Sequence, residues 1–347
     1  MRFADGFVGR RPRGRQQGSS KGSGGKRILP LNQVVDCYLA RVPDALPTPI
    51  DASTRYCAVY GFPVRHSASP AMQNAALAAL GLNWRYLAFE VPPAKLREAI
   101  AGAQAMRFVG LNLTVPHKLL AAELVDAMDD SAKVWGAVNT IRFETQDAAG
   151  QWGPASPSAP AASPMRSLGF NTDADAITRA LREDLEVTLR GATVLLLGAG
   201  GAGRVAALKL AEEGAAKLFL VNRTAAKAEA LADELSRRFP GCRVELGYPG
   251  GTVDLLLNAT SLGLRVDDPL PVAAGAFDLG QASAVYDMIY QPAETALLQA
   301  ARAAGCRTAN GLGMLLYQGA RALEIWTGQP APLAVMRRAL TEHVYGH

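Results

Sequence analysis

Two ionisable side chains in this sequence have the types and settings that suit coupled hydride and proton transfer. Lys118 ends the segment 112–118, and Asp173 ends the segment 169–173. The pattern predicts that they lie on opposite sides of a cleft. A lysine ammonium can stabilise negative charge that develops on oxygen and supply a proton, and a nearby carboxylate keeps the lysine charged. Alone, Lys118 would be interpreted as a solvated lysine and Asp173 as a helix N-cap.

A glycine-rich turn supplies the second part of that chemistry: Gly198-Ala199-Gly200-Gly201-Ala202-Gly203. It follows the apolar run 193–197 and precedes a helical pattern, which is the setting in which such a turn binds a dinucleotide. Its glycines permit a tight turn and a close approach of the backbone to a pyrophosphate at the helix N-terminus. The turn therefore predicts a dinucleotide site on a doubly wound parallel sheet.

The residues after the next predicted strand indicate which dinucleotide is bound. An NAD site usually has a carboxylate there, which binds the ribose 2′-hydroxyl. This chain has Asn222-Arg223-Thr224-Ala225-Ala226-Lys227, with two cations and no carboxylate. Because a guanidinium matches the geometry of a phosphate, the sequence predicts NADP.

Composition argues against several other classes of protein. The 347 residues suffice for two domains, and no apolar run approaches the ~20 residues that cross a bilayer. The four cysteines are widely spaced and the four histidines form no ligand cluster, so we expect reduced thiols, a cytoplasmic location and no metal. Residues 1–27 hold eight Lys and Arg against one Asp, so this tail carries +7 and the remainder −2 of the total +5. Aromatic residues do not alternate with these charges, which argues against nucleic-acid binding.

Apolar runs separated by turn signals predict an α/β fold. We expect strands at 55–60, 84–91, 108–114, 137–143, 193–197, 217–221, 253–259 and 284–288. Helices are predicted at 70–80, 93–105, 118–128, 175–184, 312–328 and 334–343. Residues 144–168, rich in Gly, Pro, Ser and Ala, predict a long surface excursion between two strands.

Taken together, the chain resembles the shikimate dehydrogenase family over residues 54–345. The matching segments, in the family's order, are His66-Ser67-Ala68-Ser69-Pro70, Asn112-Leu113-Thr114-Val115-Pro116-His117-Lys118, Gly136-Ala137-Val138-Asn139-Thr140, Asn171-Thr172-Asp173, the glycine turn, Asn222-Arg223-Thr224, Asn258-Ala259-Thr260-Ser261, Tyr286-Asp287-Met288-Ile289-Tyr290 and Gly311-Leu312-Gly313-Met314. Each motif is weak alone, but their combination is specific.

The resemblance implies NADPH-dependent reduction of 3-dehydroshikimate to shikimate, with Lys118 and Asp173 as the catalytic pair. The residues that it implies for substrate binding are Ser67, Ser69, Thr114, Asn139, Tyr290 and Gln318. Those that it implies for the cofactor are Gly198, Ala199, Gly200, Gly201, Ala202, Asn222, Arg223, Thr224, Lys227, Met288 and Gly311. Without the resemblance, Ser67 and Ser69 would be interpreted as helix N-caps.

The implied organisation has four parts. From composition, residues 1–52 are expected to be a disordered basic tail and a connector. The resemblance implies that residues 53–173 form an α/β substrate-binding and catalytic domain. Residues 174–310 form a Rossmann-type NADP-binding domain, and helices in 311–347 return to the substrate domain. A homodimer is possible.

Three alternatives stay open at this point. A quinate/shikimate dehydrogenase that uses NAD would be expected to differ at Ser67 or to have an acid at position 222. A glutamyl-tRNA reductase would need a nucleophilic cysteine, and neither Cys37 nor Cys57 has that setting. A non-catalytic regulatory or binding module of this fold should have lost Lys118 or Asp173, and both are present.

Deletion of residues 1–27 should leave activity and folding intact, because this segment has no apolar face to bury. Urea unfolding and steady-state rates of the truncated and full chains would check this. A loss of more than about 1 kcal/mol in the free energy of unfolding would contradict it.

Overall fold

A computed structural model describes residues 49–160, 162–265 and 267–346. The predictions for the basic tail and for most of the connector, residues 1–48, lie outside these residues. No described helix is both long enough and apolar enough to cross a membrane.

The first sheet places several strand ends at one edge. Its strands are β1 (Arg55–Gly61), β2 (Trp84–Glu90), β3 (Gly110–Leu113), β4 (Ala127–Met128), β5 (Thr140–Gln146), β6 (Trp152–Pro154) and β7 (Met165–Phe170), in the order β2-β1-β3-β5-β7-β4 with β6 on β5. β1 is parallel to β2 and β3, whereas β5 is antiparallel to β3 and β7. The ends of β1, β3 and β7 and the beginning of β5 therefore meet at the same edge.

Four helices accompany this sheet in the described residues: α1 (Ser69–Ala79), α2 (Leu96–Ala105), α3 (His117–Ala122) and α4 (Asp130–Trp135). The helix predicted over 118–128 is wrong in its second half, because α3 ends at Ala122 and β4 follows. The carboxylate of Asp129 then accepts from the backbone N–H of Ala132 at 3.0 Å, which begins α4.

The predicted excursion at 144–168 is more ordered than expected. β5 extends to Gln146, β6 pairs with it as a hairpin, and β7 begins at Met165. Glu144 is 1% exposed and pairs with Arg142 and with Arg166, the latter at 2.7 Å. The pair with Arg166 joins β5 to β7 through a buried charge, while Arg142, two residues before Glu144 in β5, is the second partner of the carboxylate.

The second sheet is entirely parallel. It contains β8 (Thr193–Leu197), β9 (Lys217–Val221), β10 (Arg243–Leu246), β11 (Val253–Asn258), β12 (Ala282–Asp287) and β13 (Arg307–Asn310), in the order β10-β9-β8-β11-β12-β13. Its helices are α6 (Gly201–Glu212), α7 (Ala225–Arg238) and α8 (Ala296–Ala303). This strand order is that of a Rossmann-type domain. Residues 194–197 are at most 1% exposed, as predicted for a strand covered on both faces.

Three further helices join the two sheets. α5 (Asp173–Leu185) packs on α9 (Leu312–Thr327), and α10 (Leu333–Tyr345) packs on α1. From α9, the indole Nε1 of Trp326 donates to the carbonyl of Ile141 in β5 at 2.9 Å. The predicted fold class is confirmed, including the return of the C-terminal helices to the first sheet.

Gly110 should be the least replaceable residue of β3. A Cβ there would lie 2.2 Å from Nε1 of Trp326 and 2.3 Å from the carbonyl oxygen of Ile141. Gly110→Ala should therefore lower the free energy of unfolding by roughly 1–3 kcal/mol. Gly102→Ala in α2 is the control, because its Cβ would meet no atom within 4 Å and should stabilise by about 0.5–1 kcal/mol. Equal effects in urea unfolding would contradict this account.

Candidate active site

The edges of the two sheets face a common cavity of about 300 Å³. The predicted residues that line it from the side of the first sheet are Ser67, Ser69, Thr114, Lys118 and Asp173. Those from the other side are Ala202, Met288, Tyr290 and Gly311, and α9 adds Gln318. Residues far apart in sequence thus surround one space.

The lysine and the carboxylate are in direct contact. Nζ of Lys118 donates to Oδ2 of Asp173 at 2.6 Å, and their side chains are 33% and 12% exposed. Lys118 lies in the first turn of α3, while Asp173 begins α5, three residues after β7. They do not face each other from opposite sides of a cleft, because α3 and the end of β7 meet at the same edge of the first sheet.

Asp173 is not the N-cap that a plain interpretation would assign. The side-chain oxygen of Asn171 accepts from the backbone N–H groups of Asp173 and Ala174, at 3.1 and 3.4 Å. The carboxylate of Asp173 is therefore left for side-chain partners. Its Oδ1 accepts from Nδ2 of Asn139 at 2.8 Å, which leaves Oδ2 for Lys118.

Asn139 holds the carboxylate of the Lys118–Asp173 pair in place. It is 2% exposed, does not line the cavity, and its Oδ1 accepts from the backbone N–H of Thr172 at 2.9 Å. The resemblance implies that Asn139 contacts substrate, and this stays a prediction. In the structure Asn139 directly precedes β5 and its Nδ2 binds Asp173.

Neither serine is the N-cap residue of α1. The helix begins at Ser69 with Ala68 as its N-cap, and the hydroxyl of Ser67 accepts from the backbone N–H of Ser69 at 3.4 Å. Both serines line the cavity, with Thr114 at the end of β3. The wall therefore offers three hydroxyl groups to a polar ligand.

A buried carboxylate to which the sequence analysis assigned no role shapes the opposite wall. Asp287 is fully buried and accepts from Oγ1 of Thr295 at 2.7 Å, from Nδ2 of Asn258 at 3.0 Å and from the N–H of Ile289 at 3.1 Å. Burial raises the pKa of the Asp287 carboxyl. These bonds fix the segment that carries Met288 and Tyr290 into the cavity.

Tyr290 presents a phenol that remains protonated. Burial raises its pKa, so the hydroxyl remains a hydrogen-bond donor at neutral pH. His117, next to Lys118, has a fully buried side chain, and burial lowers its pKa. It does not line the cavity.

The glycine turn has the shape that a dinucleotide needs. Gly198 has a φ of +102°, and a Cβ on Gly203 would lie 2.0 Å from the carbonyl oxygen of Gly198, so both positions require glycine. Above Gly200 and Gly201, a Cβ would meet no atom within 4 Å. No side chain caps the N-terminus of α6, so backbone N–H groups are available to a phosphate. These residues fit the predicted cofactor.

The predicted 2′-phosphate residues lie beside this turn. Oδ1 of Asn222 accepts from the backbone N–H of Ala199 at 2.9 Å, which ties the end of β9 to the turn. Thr224 is the N-cap residue of α7. Arg223 and Lys227 are exposed. Their charges are available to a ligand because neither makes an ion pair within the described part of the chain.

A second, larger cavity of about 610 Å³ adjoins the first. The two share Lys118, Asp173, Ala202, Met288 and Met314. Its wall is mainly apolar, with Leu119 and Trp135 on one side. On the other lie residues of α5 and α6: Ile177, Gly201, Ala202, Arg204, Val205 and Ala206. The sequence pattern did not assign a role to Trp135, which precedes the matched segment 136–140. No group of residues that could hold a metal ion occurs in the described parts of the chain.

Three segments of the chain match models of known protein families. Residues 59–141 match the family described as the shikimate dehydrogenase substrate binding domain. Residues 180–244 match shikimate / quinate 5-dehydrogenase, and residues 311–341 match the shikimate 5′-dehydrogenase C-terminal domain.

Relatives extend the match to most of the chain. The NADP(+) shikimate dehydrogenase of Methanopyrus kandleri is 42% identical over 302 residues, which cover 85% of this chain and 98% of the relative. A shikimate 5-dehydrogenase of Thermus thermophilus, solved with NADP(H) and shikimate, has a TM-score of 0.69 at 34% identity, covering 83% of this chain and 99% of that one. A quinate dehydrogenase of Corynebacterium glutamicum, solved with NAD, has a TM-score of 0.68 at 28% identity, covering 83% and 99%. The chain therefore belongs to the shikimate dehydrogenase family.

Proposed function

We infer that this protein catalyses the reversible reaction 3-dehydroshikimate + NADPH + H⁺ ⇌ shikimate + NADP⁺. The observation that carries this conclusion is the Lys118–Asp173 pair at 2.6 Å, in a cavity that both sheets line. Steady-state rates with shikimate and quinate, each with NADP⁺ and NAD⁺, test it. A kcat/KM that is highest for quinate with NAD⁺ would contradict it.

We propose that Lys118 is the acid and base that donates and accepts the proton of the reaction. The hydride comes from NADPH when it is bound. Reduction of a ketone places negative charge on its oxygen, and the Lys118 ammonium, which opens onto the cavity, can stabilise that charge and donate the proton. In the reverse direction, the same nitrogen accepts the hydroxyl proton.

Asp173 completes the pair in this proposal. Its Oδ2 accepts the hydrogen bond from Nζ of Lys118 and so fixes the direction of the ammonium. Asn139 prevents the carboxylate from rotating because it binds the other oxygen. The carboxylate side that opens to the cavity can accept a hydrogen bond from a substrate hydroxyl.

Polar groups at the cavity wall are proposed to hold the substrate. Ser67, Ser69 and Thr114 offer hydroxyls on one side, and Tyr290 and Gln318 offer a phenol and an amide on the other. A carboxylated ring with several hydroxyls matches this donor-rich lining better than an apolar molecule would. Asn139, which also binds Asp173, is proposed to contact the substrate, as the resemblance implies.

The cofactor choice rests on the segment after β9. Gly198, Ala199, Gly200, Gly201 and Ala202 would hold the pyrophosphate, and Met288 and Gly311 would lie near the nicotinamide. Asn222 orients the turn, and Arg223 and Lys227 with Thr224 would hold the 2′-phosphate. No acid stands at position 222 to favour NAD.

The alternatives have less support. Ser67 is present and position 222 is not acidic, which argues against a quinate enzyme that uses NAD. Because the catalytic pair is assembled, a purely regulatory or binding module is disfavoured.

We propose that the domain boundaries are those expected from the sequence: 53–173, 174–310 and 311–347. They are supported by the first sheet, within 55–170, the second, within 193–310, and α10, which packs on α1.

A cytoplasmic location is also proposed, because Cys57, Cys242 and Cys306 are buried free thiols, as is usual in a reducing compartment. A homodimer is a further proposal. It is supported by β2, which lies at an edge of the first sheet among the described strands. Leu87 and Phe89 of this strand are 41% and 40% exposed. Light scattering of the purified protein decides it.

Lys118→Ala should lower kcat by about 10²- to 10⁴-fold, with a smaller change in substrate KM, because the ammonium acts mainly on charge that develops in the transition state. Asp173→Asn should also lower kcat steeply, and the double variant should be little worse than the worse single variant. Lys95→Ala, which removes an exposed lysine paired with Glu98, is the control. Losses that multiply in the double variant would disprove the pairing.

Arg223→Ala should raise the KM for NADP⁺ more than that for NAD⁺, because only NADP⁺ carries the phosphate that the guanidinium binds. The control is Arg243→Ala, since Arg243 is paired with Glu245 and lies at the beginning of β10, away from the cofactor edge. Equal changes in KM for the two cofactors would show that Arg223 does not bind the 2′-phosphate.

A further inference from the structure

Arg238, the last residue of α7, reaches from the cofactor-binding sheet to the substrate side. Its Nη2 donates to the carbonyl of Val134 at 3.2 Å, and its guanidinium lies over the ring of Trp135, 5.9 Å from the centroid. Val134 and Trp135 end α4, which belongs to the first sheet. The side chain of Arg238 is 31% exposed, and Trp135, which it contacts, lines the larger cavity.

The end of α4 is a favourable partner for a cation. The last carbonyls of a helix lack partners within the helix, and its C-terminus carries partial negative charge. Arg238 satisfies one of these carbonyls. The guanidinium has several donors in a fixed plane, so it can bind Val134 with one group while another binds a carboxylate.

That carboxylate is Glu234, one turn earlier in α7. Its Oε1 accepts from Nη1 of Arg238 at 3.1 Å, and its two oxygens accept from Nη2 and Nε of Arg204 at 2.5 and 2.8 Å. Arg204 lies in α6, directly after the glycine turn at 198–203. Glu234 therefore joins Arg238 to the helix whose N-terminus faces the cofactor.

Beyond Val134, the chain contacts both members of the catalytic pair. It turns at Gly136, which has a φ of +62°. The backbone N–H of Val138 then donates to the carbonyl of Lys118 at 2.9 Å, and Asn139 binds Asp173 at 2.8 Å. Residues 134–139, here called the support segment, thus hold the lysine by its backbone and the aspartate by its side chain.

We propose that Arg238 is a positioning residue that ties the support segment to the cofactor helix α6. The proposal rests on the function inferred above. Loss of Arg238 leaves the support segment less firmly held, so the arrangement that is ready for substrate is less populated. The apparent affinity for substrate falls in proportion to the fraction of molecules that have this arrangement. Saturating substrate restores the arrangement.

The neighbouring Arg237 provides a matched control. It lies on the same helix and carries the same charge, but its Nε donates to the carbonyl of Asp233 within α7. Arg237→Ala therefore removes one exposed cation from the same helix without changing the link to Val134. Arg238→Lys keeps the charge but not the planar set of donors, so it should fall between wild type and Arg238→Ala.

The experiment has two readouts. In Arg238→Ala, the KM for shikimate with saturating NADP⁺ should rise about 3- to 10-fold while kcat changes by less than about 2-fold. Amide hydrogen exchange of the ligand-free protein should be faster in the support segment of Arg238→Ala and unchanged in Arg237→Ala. If Arg238→Ala does not fold, Arg238→Lys is measured in the same way.

An unchanged KM, or unchanged exchange in the support segment of a folded variant, would overturn the proposal, and so would an equal effect of Arg237→Ala. Failure of the proposed function would look different. In that case wild type itself would not oxidise shikimate, while the exchange comparison, which needs no substrate, would still decide whether Arg238 holds the support segment.

Discussion

The ion pair between Lys118 and Asp173 is the interaction on which the arrangement of the site depends. A partly buried pair of charges is stable only where both ions have further partners and fixed geometry. Here Asn139 binds the second carboxylate oxygen, and Asn171 caps α5 so that Asp173 does not have to. The antiparallel β5 makes this possible, because its beginning lies beside the ends of β3 and β7.

A similar arrangement of partners occurs on the cofactor side. Asp287 is buried at the end of β12, and three donors surround it. A buried carboxylate without them would be strongly destabilising. The bonds shape the segment from Met288 to Tyr290, which faces the catalytic pair across the cavity. A buried polar side chain thus stabilises each wall of the cavity: Asn139 on the side of the first sheet and Asp287 on the side of the second.

Much of this could be predicted from the sequence. The apolar run at 193–197 and the glycines after it specify a buried parallel strand and a phosphate-binding turn, and both signals are local. Lys118 and Asp173 were identified through a family resemblance, because each residue alone is a common feature of a helix start.

What could not be predicted depends on distant partners. Glu144 of β5 pairs with Arg166 of β7, so a contact between charges joins these two strands at that point. The role of Asn139, just before β5, depends on its contact with Asp173, just after the neighbouring strand β7. The contact of Arg238 with Val134 joins residues 104 positions apart. No pattern within a short window carries that information.

The direction of β5 has a practical consequence. Its first residue lies beside the catalytic pair, so the seven-residue strand carries the chain about 20 Å away before the hairpin turns. The loop around residues 147–151 therefore lies at the far end of the sheet from the chemistry. A peptide tag or a fluorescent reporter inserted there would leave the catalytic centre undisturbed, which makes this loop a suitable attachment point for immobilising the enzyme with its active site facing solution.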